Sequence, residues 1–476
     1  MTGSGTRGIS WRRGAVVLVT GLAGCTADGA YEAPVFPFFS SYRAVPAGAP
    51  VLLRPVLLKN EEWWLRLGDS TLNRLVALAL ADSPTLENAR ERVVQAGAER
   101  REVPLAAVIN ASAGAQMEGE GDNDPDITGT GRIGPSWLLD PWGGRRAQIR
   151  AAGARIEVAD AEVDAAQLLL LLNLGNAYVD LRRDQRLLAL RLQELRGREQ
   201  TLEMSRKMIG AGAATRLEGL RSEARVESIR ADLPALRAGI GALKNQIAVL
   251  AGAAPGALPA DLAAVLDRAG PQPRPDLAPD VGIPADLVRN RPDIRISERR
   301  YYAALADVGV ARAALYPRLS LTGAITFNAL ERSGSGTNYY FGPTLQLPAI
   351  PGDNAYAAVD TRQSQARQAL TDWRVTVLDA LLEVENALLD YNAVSASIRS
   401  AQRAARLHGE ALDLTRQVFA QQDATLTDLI AAEQARAEAD RTVAETLARQ
   451  ARSFIALNVG LGSGHAAGPA TAAKTP

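Results

Sequence analysis

The chain has 476 residues, with 53 basic and 53 acidic side chains, one cysteine and two histidines. The balanced charge gives no argument for a nucleic-acid partner. One cysteine excludes an intrachain disulfide, and with only His408 and His465 beside it there is no Cys/His metal centre.

Aromatic residues make up 5% of the chain, and alanine and leucine dominate its middle, a composition of long helices rather than of a compact mixed core. The chain carries no phosphate loop, nucleophile elbow or paired-histidine motif, so neither an enzyme nor a cofactor is expected.

The chain opens with Arg7, Arg12 and Arg13 before a short apolar run, Ala15 to Ala23. This is a secretory signal layout, and the run is too short to span a bilayer as a helix. Leu22-Ala23-Gly24-Cys25 ends it and resembles a bacterial lipobox, which implies a lipid on the Cys25 thiol, cleavage before Cys25 and acylation of the new amine. An ordinary cleaved signal with a chance cysteine is the plainer alternative. Removing residues 1–24 leaves 50 basic and 53 acidic side chains, a net charge of −3. Thr26, where an Asp would favour inner-membrane retention, fits an outer-membrane address. Lipid chains anchor by about 0.8 kcal/mol per buried CH₂. Residues 25–60 are rich in Pro, Ala and aromatics without a period and read as a lipidated, extended surface strap. Trp63-Trp64 then precede Leu72, Leu75, Val76 and Ala79 at helical spacing.

Four stretches alternate with period two, at about 110–119, 127–139, 319–329 and 339–347. Ala111, Ala113, Ala115 and Met117 share one parity; Ile127, Ile133 and Trp137, then Leu319, Leu321, Ile325 and Phe327, then Phe341, Leu345 and Leu347 continue it. Each stretch is as long as a tilted membrane strand requires. GEGDNDPD and ERSGSGTN read as turn-rich links, with the glycines of GSGTN in the turn. Trp137, Trp142, Tyr339 and Tyr340 are expected near the strand ends as interfacial aromatics. Four strands cannot close a barrel, and open edges are not tolerated in lipid. Either copies of the chain pool their strands, or the four form a small soluble sheet with one wet face.

Arg145 to Ile209 and Asn354 to Phe419 run without proline, each a helix of roughly 95 Å at 1.5 Å per residue. Return helices follow at Thr215 to Leu250 and Thr425 to Leu461, and Pro234 is a position for a kink. The apolar stretches suit side-by-side coiled-coil packing, which a soluble bundle would share. Residues 253–290 are Pro- and Ala-rich and read as an extended linker, and 463–476 as a disordered tail.

The second half begins at RNRPDIRISERRYYAALADVGVARAALYPRLSLTG, Arg289 to Gly323. Arg291-Pro292-Asp293 starts a helix, and Pro317 stops it before a strand. Residues 83–114 lie over this stretch at an offset near 208, and 206–220 over 416–430 at 210. Two long units indicate a duplicated half, 61–252 and 291–462, rather than a solenoid.

This stretch resembles the repeat-start motif of the TolC family of outer-membrane channels, in the lipoprotein branch that serves RND efflux pumps. The resemblance covers about residues 60–462 and includes the Trp63-Trp64 pair. It implies an α+β membrane fold: a homotrimer whose four strands per protomer close a 12-stranded β-barrel, continuous with a long α-helical barrel. It implies a passive duct exporting small molecules, an inner-membrane RND pump, a periplasmic adaptor and outer-membrane lipid around the barrel. The adaptor would touch the helix–helix turns at Gly210, Gly212, Thr215, Gln422 and Thr425. The family closes its periplasmic end with acidic rings, for which Asp428, Asp423 and Glu218 are the matching residues. Three copies of a carboxylate near an axis would raise their pKa values; Asp428 can equally be a helix cap. Departures from the pattern are Gln422 in place of a glycine, Ile109 opposite Pro317, and Pro348 to Asp353 in place of an apolar, glycine-bearing segment. A duct for protein secretion and a non-conducting envelope scaffold are the other classes the residues leave open.

Overall fold

Helices begin where capping chemistry stands in the sequence. Asp69 Oδ1 accepts from the backbone N–H groups of Thr71 and Leu72 at 2.9 and 3.1 Å and starts α1 (Ser70–Asp82). Pro84 opens α2 (Pro84–Glu102), and Pro292 opens the later α6 (Pro292–Ala313), where a missing N–H costs nothing. The structure, a computed structural model, describes residues 31–39, 41–44, 62–118, 126–212, 215–275, 284–330, 334–348, 353–421 and 423–465. Cys25 and Gln422 lie outside the described residues, as do 1–24 and the chain from 466 onward.

After α2 come β1 (Ala107–Glu118), β2 (Asp126–Leu139), α3 (Gly144–Gly210), α4 (Arg216–Leu250) and α5 (Ala260–Asp267). The second half follows α6 with β3 (Arg318–Leu330), β4 (Gly334–Gln346), α7 (Asp353–Ala420) and α8 (Leu426–Gly460). The two halves match in length: α3 and α7 have 67 and 68 residues, and α4 and α8 have 35 each. No described helix is long and apolar enough to cross a membrane.

The chain divides into two units. One includes 92–159 and 296–374 and carries the sheet; the other includes 36–91, 160–295 and 375–476. The sheet is antiparallel with strand order β1-β2-β3-β4. Gly134 is required where β2 meets β3, because a Cβ there would lie 1.9 Å from the Gly323 carbonyl oxygen. Trp142 sits beyond the end of β2, stacked on Tyr316 at 4.5 Å, and its Nε1 donates to the Pro317 carbonyl at 2.9 Å. That contact ties the start of α3 to the start of β3.

The other unit holds an apolar core built on Trp63, Leu67, Leu171, Leu174, Tyr178 and Phe454. Trp63 meets Phe454 edge-on at 6.5 Å. Burying each Leu here is worth about 1.5–3 kcal/mol. α4 runs through Pro234 without interruption.

Three expectations are corrected. β4 begins at Gly334 and not at about 339, so GSGTN is strand and not turn; pairing with β3 holds it extended although its own residues favour turns. The linker 253–290 is not simply extended. It contains α5, whose Leu262 and Leu266 are buried in the core, and Arg182 and Gln185 of α3 donate to the Arg268 and Leu266 carbonyls at 2.8 and 2.6 Å. The tail is ordered as far as His465, which is buried with Nε2 3.0 Å from the Asn290 carbonyl. Gly462 makes this approach possible: it has φ +76°, and a Cβ would lie 2.3 Å from the Asn290 oxygen. In the strap, residues 31–39 have no regular secondary structure, whereas Tyr42 is buried and the Arg43 and Ala44 N–H groups donate to Glu385 at 2.6 and 2.9 Å.

Candidate functional site

Strand register decides which side chains share a face, because directly opposed residues point the same way. Ala111, Ile133, Ile325 and Tyr339 form one row across all four strands. Ala107, Trp137, Leu321 and Pro343 form another. The apolar parity of each strand therefore falls on one common face, and that face is open: Ile109 is 75% exposed, Phe341 69% and Tyr339 85%.

The opposite face carries Ser112, Arg132, Thr326 and Asn338 in one row. Thr322 and Thr344 hydroxyls meet at 2.9 Å on it. Among the described strand residues, Arg132 is the one charged side chain away from a strand end. Its guanidinium lies 5.5 Å over the Tyr340 ring and donates to the Tyr340 hydroxyl. Tyr339 and Tyr340 thus part company: Tyr339 joins the apolar face, whereas Tyr340 joins the polar one. Both stand mid-strand, because β4 starts five residues earlier than the alternation indicated. Trp142 is not on the sheet, and Trp137 is half exposed on the apolar face.

The helix–helix turns are built alike. Thr215 and Glu218 form a reciprocal cap at the start of α4: the Thr215 N–H donates to Glu218 Oε2 at 2.8 Å, and the Glu218 N–H to Thr215 Oγ1 at 3.3 Å. Thr425 and Asp428 repeat it on α8, at 2.9 and 3.2 Å. The bonds from the Thr215 backbone and hydroxyl hold the Glu218 carboxyl below its ordinary range, and those from the Thr425 hydroxyl and backbone do the same for Asp428. Within the protomer the shift is therefore downward, opposite to the expected rise. Gly212 supplies the left-handed residue of the first turn, with φ +75°. Gly210 ends α3 and is exposed. Asp423 is exposed, and its N–H donates to the Val418 carbonyl at 3.1 Å.

A model of the family described as outer membrane efflux protein matches residues 75–253 and 283–463. The chain belongs to the outer membrane efflux protein family. It is 33% identical to nodulation protein T of Rhizobium leguminosarum bv. viciae over 96% of this chain and 94% of that one. It is 27% identical to outer membrane protein OprJ of Pseudomonas aeruginosa, over 84% and 85%. It superposes on the solved outer-membrane channel OprN with a TM-score of 0.82 at 29% identity, covering 93% of this chain and all of that one. The protein is an outer-membrane channel component of an efflux system.

The efflux protein has a further feature near its turns that the linear sequence did not single out. Arg198 of α3 and Glu433 of α8 pair at 2.8 Å, 4% and 9% exposed. Arg198 also reaches the Ile430 carbonyl at 3.3 Å, and the Thr201 hydroxyl donates to Glu433 at 3.2 Å. Burial pulls the Arg198 guanidinium down despite Glu433 beside it. A signal existed: Arg198, Thr201, Leu202 and Ser205 recur at helical spacing on one buried stripe. Among the described residues of this efflux protein, no cluster of His, Cys, Asp and Glu could hold a metal ion.

Proposed function

We propose that the protein works as a homotrimer in which three four-stranded sheets close a 12-stranded barrel in the outer membrane. One observation carries this reading: an exposed apolar sheet face on a sheet whose outer strands, β1 and β4, each have one neighbour among the described residues. An unpaired strand edge in lipid costs several kcal/mol per free backbone group, so a spanning sheet must be closed. β1 and β4 run in opposite directions, so β4 of one copy and β1 of the next continue an antiparallel ladder. The apolar face then meets lipid, with Trp137 and Tyr339 on it, and Arg132 and Tyr340 line the lumen.

The matching halves support a duplicated origin, and the long helices continue the barrel as a tube. The family indicates a periplasmic adaptor at the two turns and an inner-membrane RND pump as the energy source. Relatives named for pyoverdine export and antibiotic efflux support small molecules as the cargo. The lipobox supports a lipid on Cys25. Asp428, Glu218 and Asp423 are the residues we assign to the closed end of the tube.

The test is planar-bilayer conductance of the trimeric protein, wild type beside Asp428→Asn combined with Glu218→Gln, which remove charge and keep cap acceptors. A small wild-type conductance that rises severalfold in the variant supports a duct closed at its helical end. Correctly assembled trimers that never conduct would instead make the protein a scaffold.

A further inference from the structure

Arg132 stands near the middle of β2, six residues past Asp126 and seven before Leu139, on the polar face of the sheet. Its surroundings on that face are neutral. Ser112, Thr326 and Asn338 share its row, and Thr130 and Asn328 oppose each other in the next. The other charged residues of this parity stand at the ends of the ladder, Glu118 opposite Asp126 at one end and Arg318 at the other. Among the described residues no carboxylate pairs with Arg132; its partners are the Tyr340 hydroxyl and, at 5.5 Å, the Tyr340 ring. Tyr340 is two strands away, so roughly 10 Å of sheet separates the two backbones. What lies between is small. Ala324 of β3 opposes Tyr340 and is 3% exposed, although Arg132 and Tyr340 are both exposed. Gly134 of β2 lies against Ala324: a Cβ there would stand 2.7 Å from the Ala324 Cα. The guanidinium is therefore laid across β3 at one fixed level, with its charge not neutralised by any described acid.

We propose that Arg132 sets the charge selectivity of the duct in favour of anionic cargo, multivalent anions above all, and that Tyr340 is the residue that positions it. The inference rests on the trimeric duct proposed above. Twelve strands about 4.8 Å apart and tilted by about 40° close a barrel roughly 24 Å across, which puts three Arg132 guanidinia in a ring, each about 8 Å from the axis. That distance is close to the Debye length of about 10 Å at 0.1 M salt and well beyond the length of about 3 Å at 1 M. Coulomb attraction in water with this screening concentrates a monovalent anion about threefold at the level of the ring at 0.1 M, and only about 1.2-fold at 1 M. Doubling the charge squares the factor, so a divalent anion gains about tenfold at 0.1 M. A neutral solute gains nothing. Holding the fork on the Tyr340 ring keeps all three charges at one depth, so that they act together.

The experiment reads reversal potentials of the full-length trimer in planar bilayers under KCl and under potassium sulfate gradients. It uses wild type and the Asp428→Asn/Glu218→Gln background, which removes the turn carboxylates. At an ionic strength of about 0.1 M, Arg132→Gln should lower the chloride-to-potassium permeability ratio about threefold and the sulfate-to-potassium ratio about tenfold; at 1 M both changes should shrink below about twofold. Arg132→Lys, which keeps the charge, should hold both ratios within about twofold of the parent. Tyr340→Leu should lose part of the anion preference, and Tyr340→Phe, which keeps a ring for the guanidinium, should retain it. Equal changes for chloride and sulfate, or an Arg132→Lys effect as large as that of Arg132→Gln, would mean that the substitution alters the shape of the pore and would overturn the charge assignment. Tyr340→Leu behaving as its parent removes the positioning role. Trimers that conduct with ratios untouched by Arg132→Gln lose the selectivity and keep the duct. Assembled trimers that never conduct lose the duct and the selectivity with it.

Discussion

Arg198 and Glu433 pair at 2.8 Å in a nearly dry setting, and they join two helices from different halves of the chain. A buried ion pair is weak evidence for net stability, because desolvation offsets attraction. Breaking it is another matter, since one charge is left uncompensated. Glu433→Ala should therefore lower unfolding stability by about 3–5 kcal/mol, and Arg198→Met combined with Glu433→Leu should recover most of that loss. Denaturant melts of Glu433→Ala, Arg198→Met, Glu433→Leu and the double variant check this; strictly additive losses in the last three would show that the two residues do not act as a pair.

The caps predict an acid response. Glu218 and Asp428 have folded pKa values held below those of a free carboxyl. A depressed carboxyl stabilises the fold above its unfolded pKa of about 4, and that contribution is lost as pH falls through the folded value. The turns should therefore be insensitive to pH near neutrality and fray only well below pH ~4. Hydrogen exchange of 215–220 and 425–430, corrected for intrinsic rates, reads this out. Loosening that begins above pH ~5 would mean that carboxylates crowd one another in the trimer and reverse the shift.

At the sheet, Gly134→Ala and Gly131→Ala make a matched pair. A Cβ at 134 meets the backbone of Gly323 and Ala324, whereas at 131 nothing lies within 4 Å. Gly134→Ala should cost about 1–3 kcal/mol or more by forcing β2 and β3 apart, and Gly131→Ala should be close to neutral. Heat resistance of the folded protein on gels separates them; equal effects would contradict the register.

Arg132→Gln tests the polar face. If that face lines a lumen, removing one cation per copy should shift the reversal potential toward cation preference, with little change in assembly. An unchanged reversal potential in a conducting trimer would place Arg132 away from the ion path.

Much of this architecture was legible in order. Both prolines that bound α6, the two proline-free runs and the caps at Thr215 and Thr425 are local signals, and a local signal acts through its own neighbours. The alternation from Ala111 to Leu345 likewise gave the parity of each strand. The Gly-Ser start of β4 was not legible, because its extended form comes from the ladder to β3 and not from its own residues. For the same reason Tyr339 and Tyr340, expected near a strand end, stand in the middle of β4. α5 was hidden in a proline-rich stretch; its packing against α1 and α3 holds it there.

The sequence by itself determined the long helices, where they start and the parity of the four strands, since capping, proline breaks and period two are written in residues close together in the chain. It also determined the family. Tertiary structure alone decided that four apolar parities fall on one face and that Arg198 meets Glu433. Those outcomes depend on register and on which helices pack together, which fix the positions of side chains tens to hundreds of residues apart.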